Sequence, residues 1–478
     1  MDELEELSVS HHKVSFKRKH SFLYFILFPA ISMMLGWGLR GFIGGGPYGA
    51  MIPGAMVTFV ICMLLDIPLV LATIVVVFGT AGTAMGGEMT YGQTIGFLRN
   101  PGTLWWGFAG TTLKGGVWGL IIGLFIGLGL VHQRIKIKII VTGFLIFLAG
   151  YVIGLKLIND PKLLYFSDPL NHPRNESWAG LLFAAVGLLI YLKSKIGAEK
   201  FMVVLRFAVY GLIGGALGFG LGSLWITVGF RFGNLFFVID WWKMMEFSFG
   251  LLLGGFLGFA AWRSKGIERR FHQTTALKIH KSFFIELISV LLIGLFLYGV
   301  MTLFESYLDT INNTSGLLYG SIATIGRVLV SYTFIGCMLI MIALRWPYLA
   351  FQIAVTITFC HCMIDLITDD HLFPALQSSA LLITAIIIAA SIVVGVLVAI
   401  FQREQFVLRS MFLILVWSTV AVAMIRMLAD GAFNFRGDHS LSQIMIGDLF
   451  VFNVFIISAI IVSIIVIKNK STRIRSAL

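Results

Sequence analysis

Residues 107–131 read GFAGTTLKGGVWGLIIGLFIGLGLV. Lys114 is the single charge in that run, which is longer than the ~20 apolar residues that carry a helix across the hydrocarbon core of a bilayer. Stretches of the same kind extend on both sides of it, at 22–39, 50–65, 67–83, 139–157, 178–192, 202–225, 245–262, 282–304, 318–344, 347–366, 376–401, 406–427 and 447–467. The chain of 478 residues is 58% hydrophobic and only 12% charged, whereas an ordinary soluble domain carries about a quarter charged residues. The expectation is an all-α polytopic transmembrane helix bundle of about 14 spans. Asp66-Ile67-Pro68 joins the second span to the third so tightly that two half-helices dipping into the membrane are the alternative there.

Lysine and arginine set the expected orientation. Taking the N-terminus as cytoplasmic, the segments 1–21, 132–138, 193–206, 263–281, 345–346, 402–409 and 468–478 hold about 24 of the 35 basic residues, the bias of cytoplasmic loops. Both termini are then cytoplasmic, in a multi-pass protein of the plasma membrane (the inner membrane of a Gram-negative cell). The division expected is a basic tail 1–21, an eight-span module 22–262, a basic linker 263–281, a six-span module 282–467 and a basic tail 468–478. A formal charge of +12 scattered over short loops excludes a nucleic-acid-binding domain; the lipid bilayer, with its anionic headgroups, is the expected partner. Cys62, Cys337, Cys360 and Cys362 all fall in apolar segments, so neither a disulfide framework nor a metal site is expected, and no cofactor.

Glycine is concentrated in the first module, in ladders of four-residue step such as Gly119–Gly123–Gly127, Gly214–Gly218–Gly222 and Gly250–Gly254–Gly258. Ladders of this kind let helix backbones touch. Trp105-Trp106 ahead of the Gly119 ladder is echoed by Trp241-Trp242 ahead of the Gly250 ladder, and Tyr48-Gly49-Ala50-Met51-Ile52-Pro53-Gly54 resembles Tyr91-Gly92-Gln93-Thr94-Ile95-Gly96. These echoes suggest a repeat of hairpins, a device that frames central sites in transporters.

Charges inside lipid-embedded helices are costly unless paired or wetted, so their positions point to function. Arg40, Glu88, Lys114, Arg327 and Arg426 fall near the extracytoplasmic ends of their spans. With Tyr91 they are the candidate substrate-binding set, and the excess of cations suits an anionic or lipid-linked solute. His361 and Asp365, one helical turn apart, are candidates for proton coupling; Asp369, Asp370 and His371 follow them. Mutual pairing, Arg40 with Glu88 and Arg327 or Arg426 with Asp365, is the competing structural account. Glu246 and Glu286 lie near helix starts, where the helix dipole explains them. Asn175-Glu176-Ser177 and Asn312-Asn313-Thr314 match the glycosylation sequon.

Two functional classes are compatible with this pattern, besides a scaffold subunit whose polar residues merely hold helices together. One is a transporter or flippase for an anionic or lipid-linked solute, with no nucleotide-binding motif and hence driven by a gradient. The other is a membrane-embedded glycosyl- or acyltransferase acting on a lipid-linked donor, with Glu88 and His361 among its acid–base residues.

Overall fold

The computed structural model describes residues 21–168, 173–231, 239–266, 282–294, 296, 325–367, 379–404, 406–429 and 448–468. The expected basic tails, most of the linker, the sequon at Asn312, and Asp369, Asp370 and His371 lie outside the described residues. Among the described residues the secondary structure is helical, without a strand. The protein is an all-α, multi-pass membrane bundle, and among the described residues 12 helices are long and apolar enough to cross a bilayer.

In chain order these helices are α1 (Phe22–Ile43), α2 (Gly46–Leu64), α3 (Leu69–Gly86), the short α4 (Gly92–Gly96), α5 (Leu104–Val131), α6 (Ile137–Gly154), α7 (Trp178–Lys195), α8 (Ala198–Arg231) and α9 (Trp241–Ser264). Then come the shorter α10 (Phe283–Gly294) and α11 (Tyr332–Arg345), α12 (Thr358–Ile367), which ends the membrane-length helical segment Pro347–Ile367, α13 (Ala380–Phe401), α14 (Val407–Ala429) and α15 (Asp448–Lys468). The shorter apolar helix α10 falls within the expected span 282–304, and α11 overlaps the expected span 318–344 and ends one residue beyond it.

The early turns follow from local chemistry. Ser21 caps α1 by accepting from the Tyr24 amide, as N-cap serines do. Between α1 and α2 the chain turns at Gly44 (φ 133°) and Gly46 (φ 70°), backbone states that favour glycine. Pro47 then occupies the first turn of α2, where its missing N–H costs nothing. Between α2 and α3, Asp66 takes the left-handed conformation (φ 52°) and the Ile67 amide donates to Cys62 O at 3.0 Å, closing α2 in the manner of a Schellman cap. With 19 and 18 residues, α2 and α3 each extend about 27 Å along their axes. They are full-length helices, not the pair of half-helices weighed as the alternative.

Six helices close into a ring in the order α1, α2, α3, α5, α8, α9, with α9 returning to α1. Neighbours around the ring run antiparallel. Two of its seams are glycine-zipped. Between α5 and α8, a Cβ added at Gly119 would overlap Gly211 O, and one at Gly211 would overlap Gly119 O; Gly115 and Gly215 stand in the same reciprocal relation. Between α9 and α1, Gly250, Gly254 and Gly258 press on the carbonyls of Met33, Pro29 and Phe25. The two Trp-pair helices, α5 and α9, thus use their glycine ladders alike, each against one antiparallel partner.

The remaining helices wrap this ring. α6 and α7 pair with each other and lie on α5; α11 lies on α3, α12 and α14 on α2, and α14 and α15 on α1. Burial follows that order: the most apolar window of α2 is 94% buried and that of the peripheral α13 only 22%. The apolar side chains left exposed on α13, among them Leu381 and Val393, form a face suited to hydrocarbon.

Candidate functional site

The centre of the ring, toward the end at which α1 terminates, is filled by aromatic side chains. Trp37 of α1 stacks on Phe249 of α9 with ring centroids 4.8 Å apart and meets Trp118 of α5 edge-on at 4.9 Å. Phe219 of α8 stacks on Phe249 at 5.0 Å. Tyr91, on the segment between α3 and α4, closes the cluster against Phe219 at 5.4 Å and Trp118 at 6.1 Å. Large rings reach this axis because glycine brings the surrounding backbones close together.

Arg40 lies one helical turn along α1 from Trp37, on the same face. It is buried, with 4% of its surface accessible. Its guanidinium carbon sits 5.4 Å from the rings of Trp37 and Trp118 and 5.7 Å from that of Tyr91, within cation–π range. Nη1 donates to the Tyr91 hydroxyl at 2.6 Å and Nη2 to Gly46 O at 3.3 Å. Among the described residues no carboxylate forms an ion pair with it.

These side chains, with Met245 and Glu246, line a cavity of about 20 Å³, room for roughly one water molecule. Two of its lining residues carry buried N–H groups without a hydrogen-bond partner in the protein: Arg40 Nε and Trp37 Nε1. Buried donors are nearly always satisfied, so a pair of orphans at one cavity calls for an explanation. Glu246 stands at the cavity wall with Oε2 2.6 Å from Lys243 Nζ, while Oε1 accepts from Trp242 Nε1 at 3.0 Å.

Of the residues singled out in the sequence, Arg40 and Tyr91 line this cavity, and the others make their contacts elsewhere. Lys114 uses all three of its protons: on Thr90 O at 2.7 Å, Thr94 Oγ1 at 2.8 Å and Glu176 Oε1 at 2.7 Å. Glu176 also accepts from Ser167 Oγ at 3.0 Å and Trp178 Nε1 at 3.2 Å. This satisfied pair, each side chain 1% exposed, pins the 160–177 connection to α4 and α5. The Glu88 carboxylate accepts from Thr333 N at 2.6 Å, Thr333 Oγ1 at 2.9 Å and the Tyr151 hydroxyl at 2.9 Å. It sits at the N-terminus of α11, where the dipole and free amides favour an acceptor.

Arg327 pairs with Asp160 at 3.1 Å, and Arg426 with Asp365 at 2.7 Å. Asp365 packs against Gly44, and His361 lies 5.2 Å from the Tyr48 ring, so both brace the turn that follows Arg40. The Arg426–Asp365 alternative is therefore realised, and the Arg40–Glu88 one is not.

Comparison with protein-family models, with curated proteins and with solved structures finds no match for this chain.

Sequence reasoning missed Glu246, Lys243 and Glu176. Glu246 reads as a helix-start carboxylate, Lys243 as a loop cation and Glu176 as the middle of a sequon. The available signal was spacing: Lys243 and Glu246 are three apart in an apolar helix, and such residues share a face.

Proposed function

We propose that this multi-pass protein is a transporter or flippase for an anionic solute, bound at the centre of the six-helix ring by the Arg40 guanidinium. The observation that carries this reading is the pair of orphaned donors, Arg40 Nε and Trp37 Nε1, at one buried cavity. Two donors without acceptors ask for a ligand rich in acceptors, and the guanidinium fork matches a carboxylate, sulfonate or phosphate edge. The rings of Trp118, Phe219 and Phe249 suit a solute with an apolar body, which enters only where they move apart, because the closed cavity holds about one water.

The distribution of basic loops supports an extracytoplasmic position for this end of the ring, in the plasma membrane. Tyr91 aims the guanidinium. Lys114, Glu88, Arg327 and Arg426 hold the walls, and His361 and Asp365 brace the α1–α2 turn as that wall moves. Transport is better supported than group transfer for two reasons. The cavity is enclosed by ring helices, and Glu88, the leading catalytic carboxylate of the transferase alternative, already caps α11.

The first test compares metabolites and lipids in cells with and without the protein. The second titrates the purified protein with benzenesulfonate, acetate and inorganic phosphate, following fluorescence of the tryptophans around Arg40. At least one anion should change the signal of the wild type and not of Arg40→Ala. If Arg40→Ala responds as the wild type does, the central site is not an anion site.

A further inference from the structure

The central cavity holds a carboxylate of its own, and we propose that Glu246 is its proton-coupling group, so that a monovalent anion at Arg40 is bound and carried together with a proton. This deepens, and rests on, the reading of the Arg40 cavity as an anion site.

The geometry places the two groups side by side. Arg40 and Glu246 line the same cavity from α1 and α9. The Lys243–Glu246 pair packs directly on Gly41, the residue after Arg40, where an added Cβ would overlap both the ammonium and the carboxylate. Lys243 Nζ also donates to Gly38 O at 3.2 Å. Both side chains of the pair are buried, 4% and 9% exposed. Other titratable or charged groups face Glu246: Arg40 from α1, Tyr91 from the segment after α3, and Asp240 on its own helix, which caps the Lys243 amide at 3.0 Å. His361 and Asp365 of α12 lie across the α1–α2 turn, and Asp365 is held by Arg426.

Counting charge gives the mechanism. Arg40, Lys243 and ionised Glu246 together carry one net positive charge. A proton on Glu246 alone raises that to two, and an anion alone brings it to zero. An anion beside ionised Glu246 is repelled by its carboxylate, and the proton that neutralises Glu246 removes that repulsion, while a proton taken up without the anion leaves two uncompensated cations inside a bundle surrounded by lipid. Proton and anion must therefore favour each other's binding, reciprocally. The proton comes from solvent and forms an O–H bond on Glu246. Lys243 stays an ammonium, its charge released from the carboxylate and available to the anion. Empty and loaded sites then bear equal charge, so neither form crosses between access states with an extra charge.

The probe is benzenesulfonate, a monovalent aromatic anion that stays ionised and does not itself ferry protons through lipid. Wild-type affinity, read by tryptophan fluorescence, should rise as pH falls from about 8 to about 5.5, approaching tenfold per pH unit where the linkage is complete. Glu246→Gln should bind with the same affinity across that range, and His361→Gln should keep the wild-type dependence. Independently of any variant's folding, mixing wild-type protein with benzenesulfonate in weakly buffered solution should remove about one proton per bound anion from the medium, read by a pH dye. Binding without proton uptake, or a pH dependence that survives Glu246→Gln or vanishes in His361→Gln, overturns the proposal while leaving the anion site standing. Binding that ignores Arg40→Ala sinks the anion site itself.

Discussion

Arg40 Nη1 donates to the Tyr91 hydroxyl at 2.6 Å, so the guanidinium at the end of α1 is aimed by a side chain on the segment that leaves α3. That segment reaches outward at both of its ends. Glu88, three residues before Tyr91, fastens it to α11 through Thr333. Thr94, three residues after, receives the Lys114 ammonium. Residues 88–94 thus tie α11 of the outer layer and α5 of the ring to the orientation of one buried cation.

Tyr91→Phe removes the shorter of the two hydrogen bonds that hold the guanidinium and leaves the ring in place. A hydrogen bond to a charged group is worth about 1.5 kcal/mol, so benzenesulfonate should bind roughly tenfold more weakly. Arg40→Lys should lose more, because an ammonium keeps the charge but neither the fork nor the stacking on Trp37 and Trp118. Fluorescence titration of the two purified variants gives the order directly; equal losses would mean that charge alone matters.

Lys114 and Glu176 form a buried pair that stabilises the fold without facing the cavity. Removing either partner strands a charge, which costs about 3–5 kcal/mol. Lys114→Ala and Glu176→Ala should each lower the melting temperature markedly. The double variant Lys114→Met/Glu176→Met should recover more than half of that loss, since a buried pair is often replaceable by apolar residues. Additive losses in the double variant would show that the two residues act separately.

The bundle was legible because its signal is long-range and redundant. Wherever their residues are described, the expected spans overlap helices of the structure, and among the described residues 12 helices are long and apolar enough to cross a bilayer. The ring was not legible, because apolar periodicity says which residues leave water but not which helix they meet. Glycine gave part of that answer: the Gly119 and Gly250 ladders mark the α5–α8 and α9–α1 seams. At the site, Arg40 stood out as a charge at the end of an apolar run and Tyr91 as part of the echoed Tyr-Gly motif. Glu176 did not, since its burial depends on the 160–177 connection folding back onto Lys114, a contact with no local pattern.

The α5–α8 seam tests that packing account. Gly211→Val places a branched side chain against Gly119 O, where even a Cβ does not fit. Overpacking of this kind costs about 1–3 kcal/mol or more and should also spread the aromatic cluster that Trp118 and Phe219 contribute from the two helices. Gly197→Ala is the control, because nothing lies within 4 Å of a Cβ at that position. Thermal melts should separate the two variants clearly. A Gly211→Val protein as stable as the control would mean that the two helices do not approach as described.

Glu88 and Asp160 set a part-buried contact against an exposed one. Three protons converge on the Glu88 carboxylate, one of them from the Thr333 amide in the first turn of α11. Glu88→Ala leaves that amide and the Tyr151 hydroxyl without their acceptor. Losing a cap and orphaning a buried donor should cost about 2–3 kcal/mol in total. Asp160 pairs with Lys156 and Arg327, but these side chains are 28%, 51% and 33% exposed, and such pairs are worth about 0–1 kcal/mol. Glu88→Ala should therefore lower the melting temperature while Asp160→Ala barely moves it. Cys337 offers a local readout, for it lies on α11 and is buried. If Glu88 anchors that helix, maleimide labelling of Cys337, located by mass spectrometry, should accelerate in Glu88→Ala and stay slow in Asp160→Ala; equal labelling rates would place the anchor of α11 elsewhere.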